Sequence, residues 1–222
     1  MTIGLESEIN YLSLARKLVK PVREAGRAIM DIYQLGASAK IKDDGSPVTK
    51  ADLASEAILL PAISVAAPSI QIVSEENVAS HGFSVTERFF LVDPLDGTKE
   101  FLKADNKGAF TVNIGLVEGG VPVMGIVYAP ALDRLFFGAR DAGAFEIFGN
   151  VCRKIEVRKP PAEGWTAVAS ASHRDKATND WLQAQGIGNT IAIGSSLKFC
   201  LIAAGEADAY PRYGPTMEWD TA

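Results

Sequence analysis

The sequence is poor in cysteine and histidine, with two of each among its 222 residues. So few cysteines cannot form the disulfide framework on which small secreted domains usually depend. Cys152 lies among strand-like residues and Cys200 lies within an apolar helical pattern, so we predict two buried, free thiols. This cysteine usage predicts an intracellular protein.

The sequence also lacks long apolar runs and concentrated positive charge. No run approaches the roughly 20 apolar residues that a membrane-spanning helix needs, and the start of the chain shows no cleavable leader pattern. We therefore predict a cytoplasmic protein, at most peripheral to the inner membrane. The formal net charge is -5 and the Lys and Arg residues are scattered, which argues against a nucleic-acid polymer as partner. A small phosphorylated substrate is compatible with this negative net charge, because bound cations reverse the local charge of an acidic pocket.

The chain is long enough for a substantial core. Its 222 residues are 47% apolar, which suits one large domain or two small ones, and we predict two. The linker candidate is the Pro-rich stretch 159 to 164. The N-terminal domain, residues 1–159, is predicted to be an α+β unit with the metal site. The C-terminal domain, residues 160–222, is predicted to be a smaller α/β unit.

Two helices are predicted before residue 70. Apolar residues recur at helical spacing over residues 6 to 33, and Gly36 is expected to close this helix. Thr49 followed by Asp52 resembles an N-cap with its acidic partner. The helix that follows is expected to run through Leu59 and to end or kink at Pro61, because proline lacks the helical N–H donor.

Alternating and short apolar runs predict strands in the middle of the chain. The first two are residues 70 to 73, followed by Ser74-Glu75-Glu76, and residues 89 to 92, after which Pro94 is expected to take the chain out of the sheet. A hairpin turning at Gly119-Gly120 and further strands predict an antiparallel sheet. These later strands are predicted at residues 110–116, 121–128, 135–137, 144–148 and 154–157. After the linker, strands at residues 165–169, 190–193 and 207–210 alternate with helices.

The most informative segment is Asp93-Pro94-Leu95-Asp96-Gly97-Thr98, which follows an apolar strand directly. Asp, Pro and Gly also cluster in ordinary turns for conformational reasons. Here, however, two carboxylates and a hydroxyl share one tight turn, and Gly97 leaves room for a ligand to approach the backbone. This arrangement predicts a site for hard cations.

Four acidic positions, Glu75, Asp93, Asp96 and Asp220, fall at the ends of predicted strands or in loops, and they offer only oxygen ligands. Oxygen ligands favour Mg²⁺ over zinc, and Mg²⁺ completes its coordination with water and substrate phosphate. Two or three Mg²⁺ ions could share these side chains, with Mn²⁺ as a substitute. Such ions polarise a phosphoryl oxygen and activate water, which predicts hydrolysis of a phosphate monoester.

The attacking water also needs an orienting group. Thr98 and Asp52 are candidates if the first turn of the second helix lies beside the metal turn. Without further information, the position of Asp52 favours a charge at the start of a helix over a catalytic base. The sequence suggests no role for His81, which lies in a polar stretch.

Several separate segments resemble the signature of the lithium-sensitive, magnesium-dependent inositol monophosphatase superfamily, in matching order over nearly the whole chain. Thr98-Lys99-Glu100-Phe101 is similar in particular to the bacterial 3′(2′),5′-bisphosphate nucleotidase branch. The other segments that carry the resemblance are Val48-Thr49-Lys50-Ala51-Asp52, Ser74-Glu75-Glu76, Asp93-Pro94-Leu95-Asp96-Gly97-Thr98, Gly194-Ser195-Ser196-Leu197-Lys198-Phe199 and Tyr210 to Ala222.

The resemblance implies a layered αβαβα sandwich of the inositol monophosphatase and fructose-1,6-bisphosphatase type. It implies removal of the 3′-phosphate from adenosine 3′,5′-bisphosphate, giving AMP and phosphate in sulfur assimilation; an inositol or sugar-phosphate phosphatase is the alternative. The oligomeric state, monomer or homodimer, stays open. The resemblance also implies a further helix and strands after Ala222, so we expect the C-terminal domain of this chain to be truncated.

The resemblance also assigns roles to residues by position. The metal ligands are Glu75, Asp93, the carbonyl of Leu95, Asp96 and Asp220, while Asp52 and Thr98 activate water. Ser195 is alternatively an N-cap and Lys198 a solvated helical charge. His173 is a candidate contact or a loop residue, and Ala171 stands where the branch often has arginine. The implied substrate-binding residues are Glu75, Leu95, Asp96, Gly97, Thr98, Ser195, Lys198, Arg212 and Asp220.

Overall fold

The first helix, α1, shows why its sequence is helical. The computed structural model describes residues 9–36, 38–41, 47–82, 84, 86–103, 108–170 and 174–222. Helix α1 spans Tyr11–Leu35; the Asn10 side chain accepts a hydrogen bond from the N–H of Ser13, and the chain leaves the helix at Gly36 with φ of 80°. Its buried stripe includes Leu18, Val22 and Ile29, as the apolar spacing predicts. Residues 6 to 8 of the predicted helix lie outside the described residues.

The second helix, α2, spans Lys50–Ala66 and begins with the predicted capping box between Thr49 and Asp52. The alternative that Pro61 ends the helix is wrong, since the helix continues to Ala66; the alternative that it kinks the helix stays a prediction. Pro61 and Ala57, whose carbonyl loses its helical partner, are both exposed. Water can therefore satisfy that carbonyl, which lowers the cost of an internal proline.

A seven-stranded sheet forms the centre of the molecule, with its strands in sequence order. The first pair is parallel and the remaining pairs are antiparallel. A buried cluster joins one face of this sheet to α1 and α2. The α+β class of the prediction is confirmed. The strands are β3 Gln71–Ser74, β4 Arg88–Asp96, β5 Thr111–Glu118, β6 Val121–Ala129, β7 Arg134–Ala139, β8 Gly143–Phe148 and β9 Val151–Ile155.

Strand β4 does not end at Pro94, so the prediction that the chain leaves the sheet there is wrong. Asp93 pairs with Asn113, the register then shifts, and pairing resumes between Asp96 and Thr111. An irregularity of this kind accommodates a residue without an N–H donor and re-aims the neighbouring side chains. It keeps both aspartates on one strand while turning them towards a common side.

Short elements surround the sheet. Strands β1, Ala39–Ile41, and β2, Pro47–Thr49, form an antiparallel pair; residues 42 to 46, between them, lie outside the described residues. Helix α3, Val78–His81, follows β3, and helix α4, Thr98–Lys103, follows β4.

A smaller α/β unit follows the Pro-rich stretch. Strands β10, Thr166–Ser170, and β11, Asn189–Ile193, are parallel, and the predicted strand at 207–210 is reduced to one bridge between Ala209 and Ala167. A second apolar cluster packs this unit against β6 and β7. Its helices are α5, Lys176–Ala184, and α6, Leu197–Ala203; 3-10 turns lie at Pro130–Leu132 and Glu218–Asp220.

The two cysteines differ. Cys200 on α6 is buried and free, as predicted, and burial raises the pKa of its thiol to about 12. Cys152 is free but exposed, so its predicted burial is wrong. Strand β9 pairs with β8 and is the edge strand of the large sheet, and its first four residues are exposed. Among the described residues, no helix combines the length and apolar character that crossing a bilayer requires.

Candidate metal and active site

A cavity of about 350 Å³ lies between the end of β4 and the C-terminal unit. Its size is typical of a small-molecule site. Nearly all of the predicted site residues line it, although they come from distant parts of the chain. They are Glu75, Asp93, Leu95, Asp96, Gly97, Thr98, Ser195, Lys198, Arg212 and Asp220.

The irregular end of β4 fixes the position of Asp93. This side chain is 2% exposed, and its Oδ1 accepts a hydrogen bond of 3.0 Å from the N–H of Leu95. The hydroxyl of Ser55 on α2 donates to the carbonyl of Pro94 at 2.8 Å. The turn is therefore anchored to the buried side of α2.

Carboxylate oxygens of Asp93, Asp96 and Asp220 lie within 4.8 Å of one another. Asp220 comes from the 3-10 turn Glu218–Asp220 of the C-terminal unit. Burial, and then the charges of Asp96, Glu75 and Asp220, raise the pKa of Asp93 well above its usual range. Burial also raises the pKa of Asp96 and Asp220. Ionising such a cluster is costly without a cation.

Glu75 follows the last residue of β3, and its N–H donates to the carbonyl of Val92 at 3.0 Å. This bond places Glu75 next to Asp93, whose pKa it helps to raise. Together with the carbonyl of Leu95, these acidic groups form an all-oxygen donor set, which fits Mg²⁺ or Mn²⁺.

Ser196 is a site residue that the sequence analysis missed. Its N–H and hydroxyl contact Oδ2 of Asp96 at 2.5 and 2.7 Å, and its Oγ lies 2.9 Å from the carbonyl oxygen of Asp220. Asn113 on β5 donates to the same hydroxyl at 2.9 Å. Ser196 therefore links two predicted metal ligands. The only signal in the sequence was its place beside Ser195.

Asp52 is buried behind Thr98 and serves two neighbours at once. Its Oδ2 accepts hydrogen bonds from the N–H and the hydroxyl of Thr49 at 2.7 and 2.6 Å, which completes the helix cap. Its Oδ1 lies 3.4 Å from Oγ1 of Thr98. Burial raises the pKa of Asp52, while the bonds from Thr49 lower it. The helix-cap interpretation is thus correct for Oδ2 of Asp52. Its Oδ1 faces Thr98, which lines the cavity.

Gly97 is required by the backbone itself. Its φ of 88° favours glycine, and a Cβ there would lie 3.1 Å from the carbonyl oxygen of Ala109 and 3.4 Å from Cβ of Ser195. Gly97 also lines the cavity, and that it leaves room for a ligand stays a prediction. Because Gly97 has no side chain, Ala109 and Ser195 can pack close to this turn.

The C-terminal unit contributes cations and aromatic rings to the opposite side of the cavity. Lys198 is 5% exposed; its Nζ donates to the carbonyl of Ser195 and lies 5.2 Å from the ring centre of Tyr210. Burial lowers its pKa and the nearby carboxylate of Asp96 partly offsets this, so Lys198 is not a solvated helical charge. Tyr210 also packs edge-on against Phe199 at 5.1 Å.

Arg212 and Ser195 are held by local bonds. Arg212 donates to the carbonyls of Gly214 and Pro215 at 3.2 and 2.6 Å. Ser195 precedes the cap residue Ser196, and its Oγ accepts from the N–H of Leu197 at 3.3 Å. Both residues line the cavity. Ala171 and His173 lie outside the described residues.

Comparisons with known proteins agree with this geometry. A model of the inositol monophosphatase family matches residues 12–222. A protein of Salmonella typhimurium named 3′(2′),5′-bisphosphate nucleotidase CysQ is 45% identical over 209 residues, covering 90% of this chain and 80% of the relative. A protein of the same name from Buchnera aphidicola is 42% identical over 212 residues, covering 93% and 77%.

The solved structures agree as well. The crystal structure of CysQ from Bacteroides thetaiotaomicron, described as a bacterial member of the inositol monophosphatase family, is 33% identical with a TM-score of 0.75. The match covers 96% of this chain and 84% of that one. The predicted layered fold is thereby confirmed.

Proposed function

The chain belongs to the inositol monophosphatase family, and from this premise we propose that it hydrolyses the 3′-phosphate of adenosine 3′,5′-bisphosphate to AMP and inorganic phosphate. The observation that carries the proposal is the meeting of Asp93, Asp96 and Asp220 within 4.8 Å in a cavity whose far side is cationic and aromatic. The relatives named above are bisphosphate nucleotidases. We propose Mg²⁺ as the cofactor, with two or three ions bound and Mn²⁺ as a substitute.

The ions would be held by four carboxylates and one carbonyl: those of Glu75, Asp93, Asp96 and Asp220, and that of Leu95. When bound, Mg²⁺ supplies Lewis-acid stabilisation of the phosphoryl oxygens and acidifies water. These carboxylates line the cavity, so they would hold the ions where a phosphate in the cavity could complete the coordination.

Asp52 and Thr98 would handle the proton of the attacking water. The Thr98 hydroxyl would orient the water: as its Oγ1 takes a proton from the water, its own proton would pass to Oδ1 of Asp52, which does not take part in the helix cap. The 3.4 Å separation is long for an O–H···O bond, and catalytic bonds of this kind commonly shorten in the substrate complex. The raised pKa of Asp52 makes it a stronger base than an ordinary aspartate.

The opposite side of the cavity supports a nucleotide over a polyol. Lys198 and Arg212 offer positive charge for the second phosphate of the substrate. Phe199 is 44% exposed, lines the cavity and is braced by Tyr210, so its ring can stack on a purine base. An inositol ring is saturated, so it has no planar π system with which to stack on Phe199 as a purine base can.

The wider assignments follow from this activity. We propose that the enzyme acts in the cytoplasm, that it clears a by-product of sulfur assimilation, and that it is inhibited by Li⁺. We propose that residues 1–159 and 160–222 are its two domains, an arrangement supported by the small apolar cluster of Ala167, Leu182 and Ile187, which lies entirely within the second unit.

A substrate panel tests the proposal. We expect Mg²⁺-dependent release of phosphate from adenosine 3′,5′-bisphosphate at a kcat/KM at least about tenfold above that for inositol 1-phosphate, a difference of about 1.4 kcal/mol in transition-state binding. Adenosine 5′-monophosphate serves as the control, because it lacks the 3′-phosphate. Preference for inositol 1-phosphate would overturn the proposal.

A further inference from the structure

His81 contacts two segments that each lead into a predicted metal ligand. Its Nε2 lies 2.8 Å from the carbonyl oxygen of Ser74, the residue before Glu75. Its ring stacks on Trp219, the residue before Asp220, with centroids 5.1 Å apart and planes at 26°. A carbonyl oxygen only accepts hydrogen bonds, so Nε2 must carry the proton in this contact.

Both contacts lie on well-anchored segments. Helix α3 also contacts Ser74 through Ser80, whose Oγ accepts a hydrogen bond of 3.1 Å from the N–H of Ser74. Residues of α3 therefore contact both the N–H and the carbonyl of Ser74. On the other side, Trp219 packs against the apolar cluster of Val73, Leu91 and Val117. The indole is therefore in contact with the large sheet as well as with the imidazole.

We propose that His81 is a positioning residue that fixes the distance between Glu75 and Asp220 across the metal site. The inference rests on the proposed metal role of these two acids. Glu75 comes from the large sheet and Asp220 from the C-terminal unit, so their separation depends on contacts between the two regions. Residues that orient metal ligands from behind commonly change metal affinity by about 10- to 100-fold when they are replaced.

The test compares two variants that each remove one ring from a stacked pair. His81→Leu removes the ring on Trp219. Phe145→Leu removes a ring stacked on Phe137 at 5.3 Å, and neither phenylalanine lines the cavity. Mg²⁺ affinity is measured by titration calorimetry without substrate, and thermal unfolding is measured without metal. We expect His81→Leu to weaken Mg²⁺ binding about tenfold and Phe145→Leu to lower the Tm without changing Mg²⁺ binding.

His81→Phe, which keeps a ring on Trp219 but loses the bond to Ser74, is expected to show a smaller loss of affinity. At saturating Mg²⁺, kcat and the KM for the nucleotide should stay close to the wild-type values. Wild-type Mg²⁺ affinity in both His81 variants would overturn the inference. If the wild-type protein binds Mg²⁺ but does not hydrolyse adenosine 3′,5′-bisphosphate, the proposed substrate is wrong and the positioning test still stands.

Discussion

The two sides of the cavity are built differently. On the acidic side, Asp93 and Asp96 belong to a strand inside the sheet, and Asp93 is 2% exposed. On the opposite side, Phe199 and Met217 are 44% and 48% exposed, and Arg212 is held by the carbonyls of its own loop. A buried side chain within a sheet packs against the core, whereas exposed side chains can be replaced with little effect on the rest of the fold. The chemistry and the substrate preference of this protein should therefore be separable by mutation.

The largest effect is expected on the acidic side. Asp93→Asn should lower kcat at least about 1,000-fold, because it removes a metal ligand that supports several kcal/mol of transition-state stabilisation. The metal-free fold should keep its stability, since the neutral amide relieves the repulsion that raises the pKa of Asp93. Phosphate release and thermal unfolding measure the two effects. Asp31→Asn, an exposed change on α1, is the control, and turnover by Asp93→Asn at the rate of this control would contradict the assignment.

A smaller loss is expected where the acidic side meets α2. Thr98→Val should lower kcat about 100-fold by removing the hydroxyl that orients water, with Mg²⁺ affinity unchanged. Thr49→Val should instead affect stability more than catalysis. It weakens the cap of α2 and lowers the free energy of unfolding by about 1 kcal/mol, with much less effect on kcat. Steady-state kinetics and urea unfolding of both variants measure this. Equal kcat in the two variants would show that Thr98 acts only through structure.

On the substrate side, the expected effect is confined to one substrate class. Phe199→Ala should raise the KM for adenosine 3′,5′-bisphosphate about tenfold, because it removes a stacking surface for the base. Residual hydrolysis of inositol 1-phosphate should not change, since that ester has no base. Phe148→Ala, at a ring that is 60% exposed on β8, controls for the general loss of an aromatic side chain. An equal change in KM for both substrates would contradict the stacking role.

The smallest expected effect is a pH dependence of the amount by which Mg²⁺ raises the Tm. Burial and mutual repulsion raise the pKa values of Asp93, Asp96 and Asp220 in the metal-free fold. A raised pKa in the folded state means that the stability these groups contribute is present below the unfolded-state pKa and is lost as the pH rises through the folded-state pKa. Mg²⁺ offsets this loss, so we expect it to raise the Tm by a few degrees more at pH 8 than at pH 5. Equal increments in scanning calorimetry at the two pH values would count against a shared metal cluster.

The parts of the site that the sequence predicted are encoded locally. The Asp93 to Thr98 segment combines carboxylates, proline and glycine within six residues, and the Thr49 and Asp52 pair has the spacing of a capping box. The residue types and spacing within each segment indicate its chemistry without the rest of the fold, although the pairing with β5 that sets the geometry of the Asp93 to Thr98 segment was not predicted. Glu75, at the end of a short apolar strand, was predictable for the same reason.

The parts that it did not predict depend on contacts between distant segments. Ser196 acquires its role because the C-terminal unit meets β4, and His81 because Trp219 packs beside α3. Pro61 stays within a helix because that face is exposed, and Cys152 is exposed because β9 is an edge strand. Neither exposure nor strand order is present in a local pattern. Substrate contacts share this limitation, since Lys198 looks like a surface charge until Tyr210 and Asp96 are placed next to it.

The most direct test of the account is to locate the metal. In crystals of the protein soaked with Mn²⁺, anomalous diffraction should place at least one ion within about 2.5 Å of carboxylate oxygens of both Asp93 and Asp96, with Asp220 or Glu75 completing a shared site. Mn²⁺ found only at other acidic groups, in a protein that still hydrolyses the phosphate ester with Mn²⁺, would contradict the claim that these acids act on shared ions in one cavity.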